Sequence, residues 1–503
     1  MTTTISTVPV PASSAPVIHE ADVIVAGAGI AGIFAALAAA REGASTVLID
    51  RYGSVGGNYG PGLGARHDMW QHPSLLEAGL GGAVGAFFAK LEARGGITSF
   101  AFTGGGDNRK WSWDGMHELP IIDNDRFQEL ALRELLDGDV ALILSTQVSG
   151  AVMEEDTIRG VFVEGRAGRQ AVRAATVVDT SGEADVAAFA GAPCDLSRTR
   201  GAHGIGLFFR VRGVDWERYE AFRAAHRDDP LTAAEKRFLD QVMFPELGRR
   251  WPNYPRELLP AIMRAWESGE YCYVQDAGGL TKIYLIPFGT HNREVTTVES
   301  VGPDGSQDPA DSPNQVDSLG LISRSTLEAH FRRYIYESVD FYRNHVQGFE
   351  SAAVEQIAPY MGSRRGRTVL AEHTMSDEEL FDGGRFDDVV HQFTSLRHRD
   401  GSLVDLQSGE EGPAYEVPLR AMLPQRIDGL LAAGRSVNTN IRSVFRNRWA
   451  VMIMGGIAGK VAAMSATAGC TPKQLPIRDV QRQLVADGYY LGDDARLAEL
   501  GIG

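Results

Sequence analysis

"DVIVAGAGIAGIFAALAAA", residues 22–40, is apolar over nearly its whole length, yet Gly27, Gly29 and Gly32 punctuate it at GxGxxG spacing. The β-branched run Val23 to Val25 suits a strand buried on both faces. The Ala-rich segment from about Ile30 to Arg41 suits the helix that follows. Each glycine then has a reason. Gly27 permits the tight turn, Gly29 lets a pyrophosphate approach the backbone, and Gly32 lets helix pack on strand. The helix N-terminus, with Ile30 and Ala31, faces the phosphates. A membrane span is the competing reading, but it needs about 20 apolar residues and is not favoured by glycines at its start. No membrane association is expected.

A lone GxGxxG is weak, so its surroundings decide. "STVLID" (45–50) reads as a second buried strand, ending in Asp50. Asp50 falls about 18 residues after Gly32, where an acidic side chain accepts ribose hydroxyls, with Arg51 beside it. A nicotinamide-binding unit would continue with further βα repeats. Here Asp50 is followed instead by the glycine-rich loop "RYGSVGGNYGPGLGARHDMW" (51–70). Backbone amides around Gly56, Gly57 and Asn58 can reach the flavin half of an FAD whose adenosine half lies over the first motif.

This part resembles the FAD-dependent oxidoreductases with a glutathione-reductase-like FAD domain, in which a GG pair follows the acidic residue by a short loop. From Val140, β-rich runs with charged turns read as a small sheet inserted between the halves of the nucleotide fold. The resemblance puts Val148 in that stretch among the cofactor contacts. "TVVDTSGEAD" (176–185) looks like the returning strand of the same class, with Thr180 and Gly182 near the cofactor. The stretches 357–390 and 415–466 resemble the closing half of one branch, the FAD-dependent oxidoreductase family, through an Arg-rich strand, "GGRFDD", "LLAAGR" and a glycine-rich helix. The likeness covers roughly residues 20–205 and 280–468. It implies that Gly434 and Arg435 lie near the pyrophosphate, and that the flavin contact at the closing helix falls between Asn447 and Ala450, with Arg448 and Trp449. Where the related fumarate reductase branch has a histidine after the GG pair, Asn58 stands here, so non-covalent FAD is expected.

Flavin performs the redox chemistry, which leaves the protein to supply orientation, a base and electrostatic tuning. His67, in the loop after the GG pair, is a base candidate because imidazole titrates near neutrality. Arg364 is a candidate for binding a substrate carboxylate, and His373 follows the Arg364, Arg365, Arg367 cluster. A loop-stabilising histidine and solvated arginines are the bland readings of the same residues. "KWSWDGMHELP" (110–120) departs from the halogenase WxWxIP signature at Met116, and "AGRSVN" stands where aromatic hydroxylases carry a "GDAAH"-like segment.

The chain has 503 residues, is 44% hydrophobic and 23% charged, and carries a net charge of −16, so nucleic acid is not an expected partner. Three cysteines far apart exclude a dithiol centre or a Cys-rich zinc site, no metal is expected, and a reducing, cytoplasmic setting fits. The fold expected is α/β, a Rossmann-like FAD-binding domain assembled from a discontinuous chain, plus an α+β substrate (cap) domain. The expected boundaries are 1–18 for a disordered leader, 19–205 and 416–470 for the FAD-binding domain, 206–415 for the cap and 471–503 for a C-terminal tail. The tail's amphipathic "DVQRQLVADG" packs on the body or on a second subunit in a homo-oligomer. The activity read from these features is hydride removal from a small organic substrate. An NAD(P)H-dependent flavin monooxygenase or reductase, and a non-catalytic flavin-binding relative, are the alternatives.

Overall fold

The computed structural model describes residues 8–9, 12–64, 81–100, 103–104, 119–197, 205–226, 228–243, 256–270, 275–276, 282–292, 295–301, 319–363, 366–394, 399, 413–437 and 448–503. His67, Trp111, Trp113, Met116, Arg364, Arg365 and Asn447 lie outside them.

The nucleotide-type half begins with strand β1 (Val17–Ala26), helix α1 (Ile30–Arg41) and strand β2 (Thr46–Ile49). Helix α2 (Asn124–Asp137) and strand β3 (Ala141–Ile143) follow, then β4 (Gln147–Glu154), β5 (Thr157–Gly165) and β6 (Gly168–Asp179). The chain returns late with β7 (Leu430–Ala432) and helix α3 (Arg448–Ala468). The sheet order is β3-β2-β1-β6-β5-β4, with β7 added to β6. Pairings from β3 through β6 to β7 are parallel, while β4, β5 and β6 form an antiparallel meander. Strand β6 serves both parts: Arg173 to Gly168 pair with β5, and Val177 to Asp179 pair with β1 and β7. Residues Val23 to Val25 are fully buried, as an all-apolar run in a parallel sheet requires.

Helices α1 and α3 cross closely because the contact is built from small residues. A Cβ on Gly455 would fall on the Ala31 carbonyl oxygen, and one on Gly459 on that of Ala35. Buried Thr176 and Ser465 hydroxyls, 2.9 Å apart, fix α3 to β6. By length and composition α3 could cross a membrane, but 83% of its apolar window is buried inside the protein.

The cap is built on an antiparallel sheet in which strand Ile205–Arg212 is flanked by Val295–Val301 and Ala353–Ile357, with Lys282–Asn292 beyond. The 25-residue helix Leu321–His345 packs against it through Leu327, Phe331, Tyr334 and Ile335. Among the described residues this second core ends at Met361 and takes in Leu63 from the front of the chain.

Three boundaries differ from the sequence reading. Val17 pairs with Ala171, so β1 starts inside the expected leader 1–18. Val369 to Phe393 belong to the first core, not to the cap that was expected to run to 415. The expected tail 471–503 is part of that core as well: helix Ile477–Ala486 buries Val480 and Leu484 on the body, followed by Tyr489 and Leu491. Lys460 of α3, almost fully buried, ties the tail down by pairing with Glu42 at 2.5 Å and Asp487 at 2.8 Å. The Arg-rich run is not one strand either. Gly362–Ser363 pairs with the cap strand Ile205–Arg212, whereas Thr368–Val369 pairs with Cys194–Asp195, so the run passes from one domain to the other.

Candidate functional site

The turn after β1 is shaped by the residues the spacing singled out. Gly27 has φ +114°, and a Cβ there would lie 2.6 Å from the Thr180 carbonyl oxygen. A Cβ on Gly32 would fall on the carbonyl oxygen of Gly27. Thr180 holds the turn by donating its hydroxyl to the carbonyls of Ala26 (3.0 Å) and Gly27 (2.8 Å). Gly29 is different: a Cβ there would meet nothing within 4 Å. Its position opens α1, which has no side-chain cap and no acidic residue in its first turn. Helix N–H groups left without intrahelical acceptors, Ile30 and Ala31 among them, therefore face an open space suited to an anion.

Asp50, at the end of β2, accepts the Ala28 N–H at 2.6 Å and the Tyr52 N–H at 2.8 Å, one on each carboxylate oxygen. Burial raises its pKa, against the lowering effect of those two amides and of Arg51. A carboxylate has about four acceptor positions, so ribose hydroxyls still find room. Arg51 is exposed and lies over the Tyr52 ring at 5.2 Å. The Thr146 N–H donates to the Asp50 carbonyl, which brings the head of β4, and with it Val148, beside this end of the site. Tyr360 stacks on Tyr52 at 4.3 Å, and burial pushes its hydroxyl pKa well up.

The GG pair sits directly on the first motif. Gly56 donates its N–H to the Ala28 carbonyl at 2.9 Å, and a Cβ on Gly57 would lie 2.7 Å from the Gly29 Cα. Both glycines have positive φ, +107° and +49°. Next to them Asn58 buries its Oδ1 with no hydrogen-bond partner among the described residues. A Cβ on Gly64 would fall on that oxygen and 2.8 Å from Arg448 Nη2, so Asn58, Gly64 and the start of α3 meet. The Arg448 guanidinium lies over the Tyr59 ring at 5.0 Å. Trp449 puts its indole in the core, 6.0 Å from the Phe88 ring, so a cofactor contact there falls to its backbone.

The other predicted loops, after β6 and β7, are joined by an ion pair that the sequence reading missed: Glu183 Oε1 to Arg435 Nη2 at 2.7 Å. Glu183 Oε2 is buried without a partner among the described residues, as is the Ser436 hydroxyl. Gly182 and Gly434 have φ of +79° and +91°. Arg367 donates to the Ala184 carbonyl at 3.1 Å and lies 3.7 Å from Asp185. Glu183 stood inside the quoted "TSGEAD", but only the folded chain shows that its partner is some 250 residues away, in "AGR".

His373 is placed elsewhere. Its Nε2 lies 3.0 Å from Glu379, its ring meets the Phe386 edge, and Glu379 caps the short helix Asp377–Phe381. The imidazole serves that cap and is not brought together with the glycine loops. Among the described residues no cluster of His, Cys, Asp or Glu is arranged to hold a metal ion.

The chain matches the model of the family described as FAD dependent oxidoreductase over residues 22–484. It belongs to that family. FAD is accordingly its cofactor, and the residues present fit it: an open glycine turn at an uncapped helix, a second glycine pair laid on the first, and three buried polar atoms awaiting partners on three separate segments. No curated protein matches the chain. Similar solved structures include a geranylgeranyl bacteriochlorophyll reductase-like protein from Thermoplasma acidophilum, 13% identical, TM-score 0.43, covering 93% of this chain and 87% of that one. The p-nitrophenol 4-monooxygenase PnpA from Pseudomonas putida is 11% identical, TM-score 0.45, covering 96% and 93%. The anhydrotetracycline hydroxylase OxyS from Streptomyces rimosus is 13% identical, TM-score 0.40, covering 93% and 66%.

Proposed function

We propose that this FAD-dependent oxidoreductase removes a hydride from a small organic substrate lying between the cap sheet and a non-covalently held flavin. When bound, FAD supplies the two-electron acceptor. The chain supplies the rest. The open face at Gly29 and the α1 amides receive the pyrophosphate, Asp50 the ribose, and Asn58 Oδ1 offers an acceptor where the GG pair turns toward the flavin. Glu183 neutralises Arg435 at the start of the closing loop.

The observation that carries the reading is the nature of the second domain. Its core is an antiparallel sheet backed by a long helix, and among the described residues it contains no second parallel glycine-rich βαβ unit of the kind that binds a nicotinamide dinucleotide. This favours an organic molecule as the donor. His67 follows the GG loop in sequence and is the proposed base for the departing proton; Arg364 is the proposed anion-binding residue.

The test is anaerobic reduction of the yellow protein. Flavin absorbance should persist with NADH and with NADPH, and bleach with a member of a panel of amines, alcohols and carboxylates. Rapid bleaching by either nicotinamide would overturn this reading in favour of the monooxygenase or reductase. A protein that stays yellow with every donor, yet is reduced by dithionite, would point to the non-catalytic relative.

A further inference from the structure

Asn124, the first residue of α2, is 2% exposed and spends both side-chain N–H groups on another segment: they donate to the carbonyls of Tyr59 (2.9 Å) and Gly64 (3.2 Å). Those carbonyls bracket the loop that follows the GG pair. Its Oδ1 accepts from Arg210 Nη2 at 3.1 Å, and Arg210 lies in the cap strand Ile205–Arg212. Arginine has only donors, so the contact fixes which way the amide faces: oxygen to Arg210, nitrogen to the two carbonyls. Arg210 is itself steadied by Asp125 at 3.3 Å and Gln356 at 3.4 Å, the latter on the neighbouring cap strand.

A second anchor acts on the same loop. Leu63, between the two bracketed carbonyls, has φ +58° and is buried in the cap core, in a backbone conformation unfavourable for an L-residue. The loop is therefore held from the cap by a packed side chain and a hydrogen-bonded relay. On its near side it carries Gly57 and Asn58, and the Gly64 N–H donates to the Asn58 carbonyl at 2.7 Å.

From this geometry we infer that Arg210, acting through Asn124, is a positioning residue by which the cap sheet sets the loop 57–64 and thereby presents Asn58 to the flavin. The inference rests on the flavin-binding assignment of that loop. Among the described residues Arg210 has no hydrogen bond to the glycine turn or the GG pair, and its direct link to the loop is the Asn124 carboxamide.

The test is FAD titration of apoprotein, followed by flavin fluorescence and by the visible spectrum, for wild type, Asn124→Asp, Asn124→Leu, Arg210→Met, Arg210→Lys and the double variant Asn124→Leu/Arg210→Met. Asn124→Asp keeps an acceptor for Arg210 but turns two donors into a carboxylate facing two carbonyls. Its FAD Kd is expected to rise tenfold or more, with a shifted flavin band and an unchanged far-ultraviolet dichroism. Arg210→Met should raise Kd several-fold, Arg210→Lys should recover part of that, and Asn124→Leu/Arg210→Met should lose no more than Asn124→Leu alone, because leucine already ends the contact with Arg210. Such non-additivity marks two residues acting as one unit. Folded variants with wild-type Kd and spectrum, or effects that simply add, would overturn the inference. Should Asn124→Asp fail to fold, Arg210→Met against Arg210→Lys decides the same question: a shift restored by lysine supports it and no shift overturns it. Wild-type protein unable to bind FAD would instead overturn the assignment of the site, which keeps the two failures distinct.

Discussion

Gly27 and Gly29, two positions apart, carry opposite risks. Gly29→Val adds a side chain where nothing lies within 4 Å, so the variant should fold and melt close to wild type yet purify colourless. A yellow, stoichiometrically loaded Gly29→Val protein would remove the pyrophosphate from this turn. Gly27→Ala meets both an adverse φ of +114° and the Thr180 carbonyl, so it should lose about 1–3 kcal/mol of stability, read as a lower melting temperature. His67→Ala should retain FAD while slowing anaerobic flavin reduction by substrate; unchanged kinetics would take His67 out of the mechanism. At this scale the sequence was legible where chemistry is local. Gly27, Gly32, Gly56 and Gly57 are fixed by contacts a few residues away or by their own φ, and spacing exposed them. Glu183, Asn124 and Arg210 act across domains or across hundreds of residues, and no local pattern marks them.

The bounds of α1 came out as read, Ile30–Arg41, because a glycine turn at one end and a glycine after the last turn at the other are local punctuation. The Arg-rich run failed as a strand because its two ends pair with different sheets, and alternation in sequence carries no information about a change of partner. Helix α3 was read as apolar with small residues; the structure gives them their use, since Gly455 and Gly459 let its backbone touch α1. Gly459→Leu would drive a side chain into the Ala35 carbonyl and push the two helices apart. It should lower stability by roughly 2–3 kcal/mol or more. Because α1 carries the open turn, FAD retention should fall with it. A Gly459→Leu protein with wild-type melting temperature and colour would show that this crossing tolerates separation.

For the whole molecule, acid sensitivity has a specific source in His391, fully buried between Phe393 and Tyr489 with neither ring nitrogen hydrogen-bonded among the described residues. Burial lowers its pKa from 6.5 to about 3. Between those values the unfolded chain holds a proton that the folded protein refuses. Stability therefore falls as pH drops below 6.5, by up to about 1.4 kcal/mol per pH unit. His391→Leu should flatten that limb in melting experiments between pH 6 and 4, and a limb of unchanged slope would place the sensitivity elsewhere. The two-domain plan was legible, but its seams were not: Val369 to Phe393 and the C-terminal residues joined the first core through contacts with distant segments. That arrangement has a consequence for how the protein is made. Strand β7 and helix α3, which carry the proposed closing contacts to the cofactor, are translated only after the whole cap, and Asp487, which locks α3 through Lys460, comes later still. That latch consequently forms only after the chain has been made past residue 487, and a premature stop anywhere before 487 leaves α3 without it.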